Sequence, residues 1–133
     1  MRHEEQWVRD RFAGARVARL ATVSAAGTPR IVPVVFALAD DAILTAVDHK
    51  PKSTTRLRRL EDIAANPAVS LLVDEYADDW SQLWWARADG VARVHPTYDI
   101  APLVAKYTDY RAQPPTGPVI VIEVARWSGW SAA

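Results

Sequence analysis

The chain has 133 residues, half of them hydrophobic, and its sixteen acidic and sixteen basic side chains leave no net charge. This length predicts one domain over residues 1–133, and the balanced charge argues against nucleic acid as a partner, because phosphate backbones select basic faces. The absence of cysteine excludes disulfides and thiolate chemistry. No segment approaches the ~20 apolar residues that are needed to cross a bilayer. The charged N-terminal residues lack the apolar run of a signal peptide. We therefore expect a cytoplasmic protein without a membrane partner.

The hydrophobic pattern predicts three helices and six short strands. In chain order these are a helix over 4–13, strands over 17–23, 30–38 and 42–47, a helix over 54–65, strands over 68–76 and 82–94, a helix capped by Thr97, and a strand over 118–127. The two-residue link at Asp40 and Asp41 is too short for a parallel crossover, which favours antiparallel pairing. This order is typical of the α+β class, and six such strands close most economically into a small barrel.

Two residues inside predicted strands indicate a departure from regular pairing. Pro33 cannot donate a ladder bond, so its position is a bulge, an edge, or a place where a flat ligand lies along the strand; a corner in a bent barrel is the structural alternative. Gly90 indicates a bulge or a close approach of another backbone.

A cluster of basic residues surrounds the start of the second helix. Ser53 or Thr54 can cap this helix, and a helix start carries unpaired N–H donors and partial positive charge, which suits a phosphate. The alternative is a solvated face whose charges pair loosely with Glu61 and Asp62. The basic residues are Lys50, Lys52, Arg56, Arg58 and Arg59.

Six tryptophans are many for this length, and Trp84 and Trp85 are consecutive. Successive residues of a strand point to opposite faces, so both faces of this strand must be covered. In a small barrel one face is the core, and the other needs a helix or a second subunit. The pair therefore favours a homodimer, with ordinary core packing as the alternative for at least half of the tryptophans.

The chain shows no nucleophile or metal motif. His3, His49 and His95 are far apart without ligand spacing, so no metal site is predicted. Four tyrosines could donate protons, but nothing in the sequence selects among Tyr76, Tyr98, Tyr107 and Tyr110. No catalytic residue is assigned, and any catalysis is expected to belong to a bound cofactor that the protein positions.

The succession ARLATVSAAGTPRIVPVVFAL, ILTAVDHKPK, LRRLEDIAANPAVSLLVDEY and WWARADGVARV resembles the pyridoxamine-5′-phosphate-oxidase-like split β-barrel flavin and deazaflavin oxidoreductases. The resemblance covers residues 17–130. The stretches VDEYADDWSQLWWARADG and RWSGW resemble the actinobacterial branch of probable coenzyme F420-dependent enzymes.

This resemblance implies a six-stranded antiparallel split β-barrel with short flanking helices, forming a homodimer with two cofactor sites between the subunits. It implies that the second strand lies against the cofactor ring and that the third strand and the next turn hold the ribityl chain and phosphate. Trp85 stands where flavin-binding relatives often have glutamine, which argues against a simple pyridoxamine phosphate oxidase. The implied cofactor residues are Arg30, Ile31, Val32, Pro33, Thr45, Ala46, Lys50, Lys52, Arg56 and Trp85.

The function implied by the resemblance is hydride transfer from F420 to a small conjugated acceptor. The alternatives are an FMN-dependent oxidoreductase of the same fold and a non-catalytic flavin- or haem-binding protein. Lys52 is the expected main phosphate contact, with Lys50 and Arg56 assisting. Arg58 and Arg59 are expected to lie farther along the helix and to matter less.

Overall fold

The computed structural model describes residues 1–47 and 54–133, and of residues 54–57 the backbone alone. Its helices are Glu5–Gly14 (α1), Thr54–Ala65 (α2), Ala101–Lys106 (α3) and Thr108–Ala112 (α4), with a short 3-10 turn at Trp80–Gln82. Its strands are Ala18–Val23 (β1), Pro29–Val34 (β2), Ala37–Ala39 (β3), Ala42–Ala46 (β4), Ala68–Glu75 (β5), Trp84–His95 (β6) and Val119–Ser131 (β7). The predicted α+β class is confirmed, and so are the predicted positions of α1 and α2.

The strands form one antiparallel sheet in the order β2-β1-β5-β6-β7-β4-β3. Two parts of the prediction are wrong, because the sheet has seven strands instead of six and, among the described residues, no ladder joins β2 to β3 to close it. The two edge strands are nonetheless neighbours in sequence, separated only by Val35 and Phe36. The sheet must therefore curl until its two edges approach each other.

The extra strand arises because residues 30–38, predicted as one strand, break at Phe36. The backbone N–H of Phe36 donates to the Tyr107 hydroxyl at 3.0 Å, and its carbonyl oxygen lies 2.9 Å from the same hydroxyl. A side chain thus takes both backbone bonds that a neighbouring strand would otherwise satisfy. Phe36 itself is fully buried, so the break turns its ring into the core.

Two hydrophobic clusters lie on opposite faces of β4 and β7. Ile43 belongs to the larger cluster, which α1 covers with Val8 and Phe12. Leu44 belongs to the smaller cluster, which α3 covers with Leu103. Alternate residues of these strands therefore face different cores, which explains their almost continuously apolar sequences.

Both irregular strand positions have a clear structural role. Within the described residues β2 pairs with β1 alone, so Pro33 lies in an edge strand, where a residue without an N–H is tolerated. Gly90 lies at a register shift between β6 and β7, and a Cβ there would come within 3.0 Å of the Glu123 carbonyl carbon. Of the alternatives that the sequence left open, the structure shows an edge strand at Pro33 and, at Gly90, a bulge together with a close backbone approach.

The predicted third helix begins and ends differently from the sequence pattern. Thr97 is not its cap; the helix begins at Ala101, whose N–H donates to the Asp99 carboxylate at 3.0 Å. Tyr107 has an extended backbone and separates α3 from α4. At this break between the two helices, the Tyr107 hydroxyl is hydrogen-bonded to the backbone of Phe36.

The tryptophan pair is divided between the two faces of β6, as predicted. Trp84 packs edge-on against Trp7 of α1, with ring centroids 6.1 Å apart, and the guanidinium of Arg11 lies 4.8 Å from its ring. Trp85 is half-buried on the other face, where the Arg87 guanidinium lies 5.6 Å from its ring. One tryptophan is thus covered by a helix, and the expected second subunit over the other stays a prediction.

None of the helices in the described ranges combines the length and the apolar character needed to cross a membrane.

Candidate functional site

A small basic pocket lies where β1, β2 and α2 meet. Thr22 and Arg30 are direct cross-strand partners in the β1–β2 ladder, and α2 packs against β1. The pocket has a volume of about 60 Å³, room for a group the size of one phosphate and not for a ring system. It is lined by Thr22, Arg30, Val32, Arg58, Arg59 and Asp62.

Asp62 organises the floor of this pocket. Its side chain is only 5% exposed, and one carboxylate oxygen accepts from Arg30 Nε at 3.0 Å and from the Thr22 hydroxyl at 3.2 Å. A buried carboxylate is tolerated only when it is paired and hydrogen-bonded, and these two donors meet that need. The contact also holds Arg30, which is 40% exposed, against the sheet at the pocket.

The charge balance of the pocket favours an anion. Three arginines line it against one carboxylate, and that carboxylate is already bonded to Arg30. Guanidinium groups present planar pairs of donors that match phosphate or carboxylate oxygens. The donor set therefore fits the phosphate end of a nucleotide-like cofactor.

None of the described strands pairs with the outer edge of β2, which lies next to this pocket. Along β2, Ile31 is 65% exposed and Pro33 is also exposed, while Val32 lines the pocket from the same strand. An apolar edge beside a cationic pocket can hold a flat ring and its anionic tail together. The resemblance placed residues 30–33 against the cofactor ring, and that contact stays a prediction.

The structure brings some predicted site residues together at the basic pocket, and the others lie on different strands. Arg30 and Val32 line the pocket, and Ile31 and Pro33 lie on the same strand. Thr45 and Ala46 are buried in β4, paired with β7 on the opposite side of the sheet order, and Trp85 lies on β6. Their predicted contacts with a cofactor stay predictions.

The predicted phosphate contacts cannot be compared with the structure. Lys50 and Lys52 lie outside the described residues, and so does the side chain of Arg56. Arg58 and Arg59, which we expected to matter less because they lie farther along the helix, both line the pocket. The reason is that α2 passes across β1, so its second turn reaches the same place as Arg30.

Sequence reasoning missed Thr22 and underrated Asp62. In the sequence, Asp62 resembled any other charged residue on a helix face. Its neighbour Ile63, however, belongs to the buried apolar stripe of α2, and this position indicates that this part of the helix faces the sheet. Thr22 carried no signal, because a threonine in a strand is common. Only the cross-strand register places it beside Arg30.

The described residues contain no group of three or more histidines, cysteines or carboxylates arranged to hold a metal ion. His3 bonds with the Ser131 hydroxyl at 2.6 Å and stacks on Trp7, while His95 packs edge-on against Tyr98. Both described histidines therefore have structural contacts.

The curled antiparallel sheet, its flanking helices and the basic pocket at one edge define a split-barrel domain. The chain belongs to the pyridoxamine 5′-phosphate oxidase-like split-barrel family, whose model matches residues 5–131. No curated protein matches its sequence closely.

Solved structures share the fold at low sequence identity. The conserved hypothetical protein Rv2991 from Mycobacterium tuberculosis is 20% identical with a TM-score of 0.73, over 98% of this chain and 86% of that one. A FAD-binding protein from Mesorhizobium loti is 22% identical with a TM-score of 0.71, over 97% and 95%. The FAD-binding protein from Mycobacterium smegmatis is 18% identical with a TM-score of 0.65, over 98% and 97%.

Proposed function

We propose that this chain is an oxidoreductase that binds coenzyme F420 and uses it for hydride transfer to a small conjugated acceptor. The observation that carries the proposal is the basic pocket beside the open, apolar edge of β2. Arg30, Arg58 and Arg59 would hold anionic groups of the cofactor tail, and Ile31 and Pro33 would face its ring. The cofactor supplies the hydride chemistry, and the protein binds it, orients it and leaves one ring face accessible.

The choice of F420 rests on the number of cations. The pocket holds three arginines, and the sequence adds Lys50, Lys52 and Arg56 in the preceding residues. This is more positive charge than one monophosphate needs, and the F420 tail is longer and more anionic than that of FMN. FMN is the alternative, supported by the two structural neighbours described as FAD-binding.

We also propose that two copies of the chain form the complete cofactor site. Supporting this, Ile31 is 65% exposed on the edge strand β2, and Trp85 on β6 is only half-buried. A small-molecule substrate would then enter from the side of the ring that faces the second subunit.

Titration of the purified protein with F420 and with FMN, followed by tryptophan fluorescence, tests the assignment. F420 should bind more tightly, and Arg58→Met should weaken its binding about tenfold, because a hydrogen bond to a charged group contributes roughly 1.5–3 kcal/mol before screening. Arg126→Met, at an exposed arginine of β7 outside the pocket, is the matched control and should leave affinity unchanged. Equal or tighter FMN binding would replace F420 with FMN. No effect of Arg58→Met on either cofactor would refute the pocket.

A further inference from the structure

A second, larger pocket lies where α3 and α4 meet the end of β2. Its volume is about 460 Å³, and it shares no lining residue with the basic pocket. Its walls combine aromatic rings with cations. It is lined by Arg16, Val35, Lys106, Tyr107, Thr108, Asp109, Tyr110 and Arg111.

Lys106 is the unusual group in this pocket. Its Nζ atom is buried and, within the described part of the chain, has no hydrogen-bond partner. The amine lies 3.8 Å from the ring centroid of Phe36 and 5.3 Å from that of Tyr107. Burial of an ammonium without a carboxylate partner is costly, and this cost favours the neutral form of the amine.

The other charged groups of the pocket have defined positions. Arg16 donates to the backbone carbonyl of Lys106 at 2.9 Å, and Arg111 donates to the carbonyl of Ala105 at 2.7 Å, which fixes both guanidinium groups beside the pocket. Asp109 is the one carboxylate in the lining, and Tyr107 and Tyr110 are the other titratable groups. Two fixed arginines against one exposed aspartate favour an anionic ligand.

Burial, followed by the charge of Arg16, lowers the pKa of Lys106 to about 8. At pH 7.5 roughly a quarter of such an amine is neutral, against about one part in a thousand for an ordinary lysine. Burial also raises the pKa of Tyr107, so its hydroxyl stays protonated and bonded to the backbone. Desolvation beside another cation is a recognised way to make a lysine nucleophilic.

We propose that Lys106 captures anionic carbonyl compounds, such as aldehydes that carry a carboxylate or a phosphate, as an imine. The nitrogen lone pair forms the C–N bond while the carbonyl π pair moves to oxygen. The nitrogen gives up its two protons, which leave with the oxygen as water, so amine plus aldehyde gives imine plus water without an oxidant or reductant. The aromatic walls pack against the body of the compound, and Arg16 with Arg111 attracts its anionic group.

The chain offers an internal reference for a test, because Lys50 and Lys52 are its only other lysines. The protein is incubated with 4-carboxybenzaldehyde and cyanoborohydride, which reduces imines to stable amines, and labelled sites are quantified by peptide mass spectrometry. Lys106 should be labelled at least ten times faster than Lys50 or Lys52. The ratio of Lys106 labelling to that of Lys50 and Lys52 should be largest near pH 7 and fall as the pH rises above 8, because only the neutral amine forms an imine and the reduction step affects all three lysines alike.

The neutral methyl ester of the same aldehyde separates nucleophilicity from anion attraction. Lys106 should prefer the carboxylate probe severalfold over the ester, and Arg16→Gln should reduce that preference. Labelling of Lys106 no faster than that of the other lysines, or a labelling ratio that does not change with pH, overturns the proposal. Fast labelling of Lys106 without a preference for the carboxylate probe would contradict the proposal that the ligand is anionic. No cofactor is needed in this experiment, so its result is independent of the hydride-transfer function.

Discussion

Replacement of Asp62 by alanine should destabilise the fold and disturb the basic pocket together. Asp62 accepts from Arg30 at 3.0 Å and from Thr22 at 3.2 Å. Loss of a hydrogen bond to a charged group costs about 1.5–3 kcal/mol, and the buried Thr22 hydroxyl left without its acceptor adds about 1–3 kcal/mol. Arg30 is 40% exposed and can return to water, which reduces the first figure. We expect a net loss of about 2–4 kcal/mol in the free energy of unfolding.

Urea denaturation at one protein concentration measures this loss, provided the m-value stays unchanged. Asp62→Asn keeps the shape and one acceptor and should cost less, about 1–2 kcal/mol. Glu61→Ala, at the exposed neighbouring position, is the control and should stay within about 0.5 kcal/mol. Adding Thr22→Val to Asp62→Ala should recover part of the loss, because no buried hydroxyl is then unpaired. A cost for Asp62→Ala no larger than that of the control would refute the reasoning.

Three further outcomes follow from the structure. Gly90→Ala should cost about 3 kcal/mol or more by urea denaturation, because a Cβ would meet the backbone of Glu123 and β7 would have to move. Tyr107→Phe should cost about 1–3 kcal/mol and speed hydrogen exchange at the Phe36 amide, which loses its acceptor; unchanged exchange would contradict this. Light scattering should show a dimer at micromolar concentration that Trp85→Glu converts to monomer, and a clean monomer of the native chain would exclude the shared site.

Local sequence signals determined much of the fold. The Asn66-Pro67 stop ended α2 at the predicted residue, since proline cannot continue a helix. Pro33 allowed an edge strand and Gly90 a bulge among the alternatives, because proline has no N–H to donate and glycine has no Cβ to block a close approach. Arg30 and Val32, which the resemblance to a family named as ring contacts, line the basic pocket, and their contact with a cofactor stays a prediction.

Contacts between distant residues decided the rest. The division into β2 and β3 depends on the Tyr107 hydroxyl, 71 residues from Phe36, and no pattern within residues 30–38 could reveal it. The pairing of Arg30 with Asp62 and the burial of Lys106 over Phe36 likewise require the folded sheet. Sequence periodicity reports which face of an element is apolar, whereas the partner of a polar group is fixed only when tertiary packing removes it from water.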